Sequence, residues 1–432
     1  MKISGLKRWI LLIMVSIFSG TMVVTPYLRF NYYDQLVVLF TQFRPISDPG
    51  AVNEYIGTLA MVFGSINMIM YIIGGLMVDK YGEKLMLLLG GLLMATGSVL
   101  FGMVMNRASL MIGFICFGFG TGTLFCGYLK LVRKLGTAAE QGRMYSTSEC
   151  VRGVIGTCLG LVGVSILNQA ILPNGTLEPQ LIGEKWRIML FLHAGIYILC
   201  TVVCFIMIPR NVIGAEENEE DTAEPFTLRG ALTVLKMPGT WLASMVLFFG
   251  YSITACASGY LGAYTSNVVG ATASQAATFA IIRNYFLAAI STLVIGYVAL
   301  KLKSASKTIG LYSLISCVLI VIMLVTEASY TICIAVTFVF AFAYTGMRGL
   351  YFAVPSETKI PIQLAGITMG VMSFIGYLPD VFFAKLAGRW LDKYGLQGYH
   401  LIWYWAIGCA ILGTIVCLMT YAYAKKLDKA KA

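Results

Sequence analysis

The stretch YIGTLAMVFGSINMIMYIIGGLMV, residues 55–78, contains no charged residue, and it runs directly into DKYGEK, residues 79–84. A helix needs about 20 apolar residues to cross the hydrocarbon core of a bilayer. The run meets that length and then stops abruptly at Asp79, Lys80, Glu83 and Lys84. It therefore reads as one membrane crossing followed by a short charged turn.

Moving outward, the pattern recurs. Apolar runs lie near 9–29, 85–105, 109–132, 144–170, 187–208, 239–264, 275–299, 308–326, 330–353, 364–387 and 400–423. The runs are continuous, so a barrel of alternating strands is excluded. With 58% hydrophobic and 12% charged residues, the chain cannot cover itself in water, and the bilayer must serve as solvent. The expected fold is all-α, with twelve transmembrane helices. The apolar run after Lys2, Lys7 and Arg8 continues past residue 25, so it reads as a retained span rather than a cleaved leader.

The net charge of +11 is placed asymmetrically. With the N-terminus inside, one face collects Lys2, Lys7, Arg8, Lys80, Lys84, Arg133, Lys134, Arg143, Lys301, Lys303, Lys307, Lys359, Lys425, Lys426, Lys429 and Lys431. The other collects Arg44, Arg107, Lys185, Arg389 and Lys393. This bias predicts cytoplasmic termini in a plasma membrane, or an inner membrane in a bacterium. It also accounts for the basic charge without a nucleic acid partner.

The longest polar stretch, 209–236, carries Glu216, Glu217, Glu219, Glu220, Asp221, Glu224 and Pro225. It reads as a cytoplasmic linker between a six-span unit at 1–208 and another at 237–432. The aromatic-rich segment 30–53 reads as an external loop lying partly in the membrane interface. The halves echo each other. Gly195, Ile198, Leu199, Thr201, Val203 and Cys204 in the sixth span repeat as Gly408, Ile411, Leu412, Thr414, Val416 and Cys417 in the twelfth. Parallel repeats of this kind are a transporter plan, with the solute site near the midplane.

The ten residues from Gly75 to Lys84 resemble the signature loop of the major facilitator superfamily: Gly75, Asp79, Lys80, Gly82 and Lys84 match, and Glu83 departs. The resemblance implies two pseudo-symmetric six-helix bundles and a secondary transporter working by alternating access. It also implies that this loop latches the outward-open state, with Asp79 meeting the N-terminus of the eleventh helix. Gly75 would let a neighbouring helix approach closely. A second match, Gly388 to Gly395 with Asp392 and Lys393, falls between the eleventh and twelfth spans and reads as an external turn.

A charge inside a span is costly and marks a functional candidate. Arg283 lies about eight residues into its span, too deep to snorkel, and is the first candidate for substrate contact. Arg152, Arg29, Arg348 and Lys130 follow as cations, and Glu149 and Asp380 as anions for coupling or ion pairing. Glu149 and Arg152 share one helix face. Arg29, late in the first span, is similar to the anion-binding arginine of some organophosphate and organic-anion carriers of that superfamily. Five cations against two anions call for a counter-charge, so the expected cargo is a small organic anion, with a proton or a counter-anion as coupling partner. The alternatives are a neutral sugar-like solute and a non-transporting sensor. Nothing resembles an intramembrane catalytic constellation or a channel filter, so neither an enzyme nor a pore is expected. With only His193 and His400 and no clustered cysteines, no metal or other cofactor is expected. The chain reads as a monomer. Asn174-Gly175-Thr176 fits a glycosylation acceptor on an external loop.

Overall fold

The computed structural model describes residues 5–43, 49–136, 141–172, 176–208, 228–361 and 364–429. The described residues are helical apart from turns and one isolated bridge, Ile171 with Leu177. They fall into two compact units, Met1–Glu220 and Asp221–Ala432.

The first unit comprises α1 (Gly5–Met22), α2 (Tyr33–Val38), α3 (Val52–Tyr81), α4 (Glu83–Met103), α5 (Arg107–Leu135), α6 (Gln141–Asn168) and α7 (Pro179–Met207). Its centre is built on close approach of α4 and α5. Gly90 and Gly97 on α4 face Leu124 and Phe117, where a Cβ would sit 2.7 and 2.8 Å from those side chains. Gly113 and Gly120 on α5 sit against the carbonyls of Gly97 and Gly90. Without a hydrophobic drive between helices in lipid, small residues permit the van der Waals contact that holds them together.

The first span ends early as an α-helix. Pro26 lacks an N–H and cannot continue the ladder, so the chain turns at Val23–Val24 and runs on as a 3₁₀ segment, Thr25–Phe30. The region expected as an interfacial loop is partly helical. α2 and the π turn Leu39–Phe43 follow, and Tyr33, Leu36, Leu39 and Phe40 are buried in the unit. Their apolar side chains find a packed interior there, which is why these turns are helical and buried.

The second unit comprises α8 (Leu228–Leu235), α9 (Pro238–Asn267), α10 (Ala273–Ile281), α11 (Ala288–Leu302), α12 (Ala305–Val325), α13 (Tyr330–Met347), α14 (Val354–Glu357), α15 (Ala365–Gly376), α16 (Pro379–Tyr394) and α17 (Leu396–Lys429). α10 and α11 are one span joined by a π segment, Ile282–Leu287. α13 and α14 are joined through i to i−3 bonds at Arg348, Gly349 and Leu350 and a 3₁₀ turn at Tyr351–Ala353. α15 gives way to α16 at Tyr377–Leu378, just before Pro379. The end of the expected linker is not extended: α8 packs Val234 on Ile367, Leu364 and Val371. Residues 209–227, with the acidic run and Pro225, lie outside the described residues, as do Asn174 and Gly175.

Among the described residues, eleven helical stretches are long and apolar enough to cross a membrane. The remaining expected span is α3, 30 residues of unbroken helix. Large apolar side chains such as Leu293, Val325 and Ile206 are at least 75% exposed, the inverse of a soluble surface and what lipid solvation requires.

The two signature matches end alike. α3 stops at Tyr81 and α16 at Tyr394, and each is followed by a glycine with positive φ, Gly82 at 79° and Gly395 at 55°. The 388–395 match is therefore the last two turns of a helix rather than a loop. His400, in the following helix, meets Glu327 beyond α12. The match thus sits at the end of the second unit opposite the turn that carries Lys301, Lys303 and Lys307.

Candidate functional site

In the second unit the breaks in the helices coincide with the charges. A π turn adds one residue and redirects the side chains beside it. Arg283 lies in such a turn and is 1% exposed. Its Nη1 donates to Thr337 Oγ1 at 2.9 Å, and its guanidinium lies 5.6 Å from the centre of the Phe338 ring. Its Nη2 is buried and has no hydrogen-bond partner among the described residues, and no described carboxylate lies within ion-pair distance. Below it, the Tyr344 hydroxyl donates to Asn284 Oδ1 at 3.2 Å, and Ser291 meets Thr345 at 2.7 Å. The seam between this span and α13 therefore carries polar pairs at Arg283, Asn284 and Ser291, between apolar contacts such as Phe279 on Phe338.

Arg348 sits where α13 unwinds, and Asp380 in the first turn of α16. The Tyr251 hydroxyl donates to Asp380 at 2.7 Å, and the Tyr251 ring meets Tyr377 edge-on at 4.6 Å. Asp380 is thus held by Tyr251, whose ring packs on Tyr377, while Arg283 and Asn284 face Thr337 and Tyr344 of α13.

In the first unit, Glu149 and Arg152 form an ion pair on α6. Glu149 is well exposed and Arg152 largely buried, with its guanidinium 5.6 Å from the Tyr128 ring centre. Tyr128 meets Ser148 at 2.7 Å, and Ser148 meets Ser16 on α1 at 2.7 Å. Gly20 makes this possible: a Cβ there would lie 3.2 Å from the Arg152 backbone.

Two cations lie elsewhere. Arg29 is buried against Phe30 and lines a small apolar space with Pro26, Leu36, Phe40, Ile56, Leu59, Phe101 and Phe114. None of the other candidates lines that space. Lys130 donates to the Val78 carbonyl at 3.2 Å, at the end of α3, and so joins the signature loop.

That loop is tied to its own unit. Lys84 donates to the Ile208 carbonyl at 2.9 Å, at the end of α7, and lies over the Phe205 ring. Glu83, the departure from the motif, is buried and pairs with Lys134 of α5 at 3.0 Å. Lys80 is exposed and lies over Tyr81. The side chain of Asp79 lies outside the described residues. The close approach expected at Gly75 occurs one residue earlier. A Cβ at Gly75 would meet nothing within 4 Å among the described residues, while one at Gly74 would lie 2.9 Å from Cys126 Sγ. Helical rotation turns the two glycines about 100° apart, and it is Gly74 that faces α5.

Sequence reasoning missed Tyr128, Ser148, Tyr251, Tyr377, Asn284 and Thr337. Each is a polar side chain inside an apolar run, which is the signal that was available.

The major facilitator superfamily model matches residues 9–384. Inner membrane protein YqcE of Escherichia coli is 27% identical over all of this chain and 98% of its own length. Inner membrane protein YihN of the same organism is 24% identical over 96% of this chain and 95% of its own. Among solved structures, a D-xylose-proton symporter superposes with a TM-score of 0.76 at 13% identity, covering 96% of this chain and 98% of that one. A bacterial homologue of the lysosomal transporter Spinster gives 0.76 at 13% identity over 99% of both chains.

Proposed function

The chain belongs to the major facilitator superfamily, and from that premise we propose that it is a secondary transporter of a small organic anion, working by alternating access in a plasma membrane with both termini cytoplasmic. The observation that supports the anion is Arg283. A buried guanidinium with one nitrogen unfilled and no carboxylate beside it is costly. A carboxylate, sulfonate or phosphate ester would supply both the counter-charge and the acceptor, in the planar geometry that arginine favours.

Arg348 and Arg152 are the further cations on the solute path. Arg29 and Lys130 serve packing and the loop at the end of α3. Asp380, held by Tyr251, is the carboxylate placed at the coupling step, where protonation would accompany transport. Relatives named as inner membrane proteins support the location. Solved neighbours named as proton symporters support proton coupling.

A neutral sugar-like solute is the competing reading, and the Glu149–Arg152 pair favours it, because that pair needs no charge from a solute. A thermal-shift screen of purified protein against matched anionic and neutral compounds separates the two, followed by uptake into liposomes. Anionic hits that vanish in Arg283→Ala support the proposal. Neutral hits that survive it defeat the anion assignment.

A further inference from the structure

One end of the second unit carries positive charge that its own acids do not balance. Five exposed lysines stand there: Lys301 and Lys303 at the end of α11, Lys307 in the first turn of α12, and Lys425 and Lys426 late in α17. None of the five has a described carboxylate within ion-pair distance. The acids nearby are engaged elsewhere. Glu357 accepts from the Ser306 N–H at 3.1 Å and from the Ser306 hydroxyl at 2.6 Å, and Asp428 pairs with Lys359 at 2.9 Å. Ser304 Oγ accepts from the Lys307 N–H at 3.1 Å. The N-terminus of α12 is thus capped by the chain itself, and the lysine side chains are what remains for an anion.

Two of these lysines are held against aromatic rings. Lys307 Nζ lies 5.7 Å from the centre of the Tyr421 ring on α17, and Lys301 Nζ lies 4.9 Å from that of Tyr297. α12 packs closely on α17: a Cβ at Gly310 would lie 2.9 Å from Cys417 Cβ. Lys307 and Tyr421 meet one turn further along that seam. Lys425 follows Tyr421 by one more turn on the same face of α17. One ammonium from each helix therefore flanks the tyrosine.

The apolar surface continues from the same point. Leu311, Leu314, Val318, Val321 and Val325 recur at helical spacing on α12 and are all exposed, with Lys307 at the foot of the column. Leu418, one turn before Tyr421, is exposed on α17. A soluble anion would use the lysines alone. A molecule with a phosphate head and apolar tails would use both surfaces.

We propose that this end of the α12–α17 seam binds an anionic phospholipid, with its phosphodiester between Lys307 and Lys425 and an acyl chain along the exposed column of α12. The surplus of lysines selects an anionic headgroup over a zwitterionic one. Tyr421, amphipathic like the tyrosines of membrane interfaces, holds Lys307 at headgroup level. The site is separate from Arg283 and independent of what the solute is.

The test uses the full chain in detergent micelles, titrated with phosphatidylglycerol or with phosphatidylcholine of the same acyl chains, and bound lipid is counted by native mass spectrometry. No solute is present, so its failure is distinct from failure of the transport assignment. Phosphatidylglycerol should bind about tenfold tighter or more. Lys307→Gln and Lys425→Gln should each weaken it about fivefold, the effect of one lysine at an anionic surface, while Lys307→Arg keeps it. Lys393→Gln, which removes a lysine held over Tyr394 at the opposite end of the unit, should leave binding unchanged. Millimolar inorganic phosphate should not displace the lipid. Equal affinity for the two lipids, equal losses at Lys393 and Lys307, full binding by the double variant of Lys307→Gln and Lys425→Gln, or displacement by phosphate overturns the proposal.

Discussion

Both units pack helices on glycines, Gly346 on Ile295 and Gly376 on Leu247 in the second as in the first, but they differ in how many of their spans break. In the first, Gly90, Gly97, Gly113 and Gly120 let α4 and α5 run straight and close. Its charges are mostly spent on its own helix ends, Lys84 on Ile208 and Lys134 on Glu83. The second unit breaks three of its spans, at Ile282–Leu287, Arg348–Ala353 and Tyr377–Leu378, and sets a charge at or beside each break. Irregular backbone inside a membrane persists where it is buried in protein or lines a polar cavity. The first unit has a break too, at Thr25–Phe30 beside Arg29, so the difference lies in how many spans are interrupted and how many charges sit at the interruptions.

The largest expected effect lies in the second unit. Arg283→Met should reduce solute uptake about 100-fold or more, since truncating a buried charge partner costs about 2–5 kcal/mol. The same variant should melt no lower than wild type without solute, because an apolar side chain replaces an uncompensated charge. Uptake and melting measured on one preparation check both. Lower melting with normal uptake would make Arg283 a structural residue and erase the contrast.

The first unit gives the next test. Gly97→Leu drives a side chain into Phe117 and should destabilise by about 1–3 kcal/mol. Gly296→Ala, whose Cβ would meet open space in α11, should be neutral or slightly stabilising. Equal melting losses from the two would show that the space beside a glycine does not decide the cost of filling it.

Smaller effects follow at the carboxylates. Asp380→Asn should lower proton-driven accumulation roughly tenfold while leaving solute exchange, which corresponds to a coupling free energy of about 1.4 kcal/mol. Counterflow compared with gradient-driven uptake reads the split. Glu149→Gln, which loosens an ion pair whose carboxylate is exposed, should change stability by less than about 1 kcal/mol. A larger loss would mean that the pair is structural, and that the first unit also depends on charges within its spans.

The fold was largely legible in the sequence because crossing a bilayer demands long uninterrupted apolar runs, which composition cannot disguise. The helix ends were less so. The helical turns within 30–53 were not legible because burial of Leu36 and Phe40 depends on partners far along the chain, such as Phe101 and Phe114. The charges at the breaks were found since a charged residue in an apolar run stands out. What surrounds them was not: Tyr251 reaches Asp380 across 129 positions, and no local pattern announces that pairing. Gly74 and Gly75 show the same limit, because a one-residue step decides which glycine faces the neighbour.

The two histidines make a pair of built-in reporters. His193 is sealed inside the first unit against Thr25, while His400 stands in contact with water in the second. Isotopic labelling of this one amino-acid type would thus illuminate each half of the molecule with a single signal, one shielded from the bathing solution and one touching it.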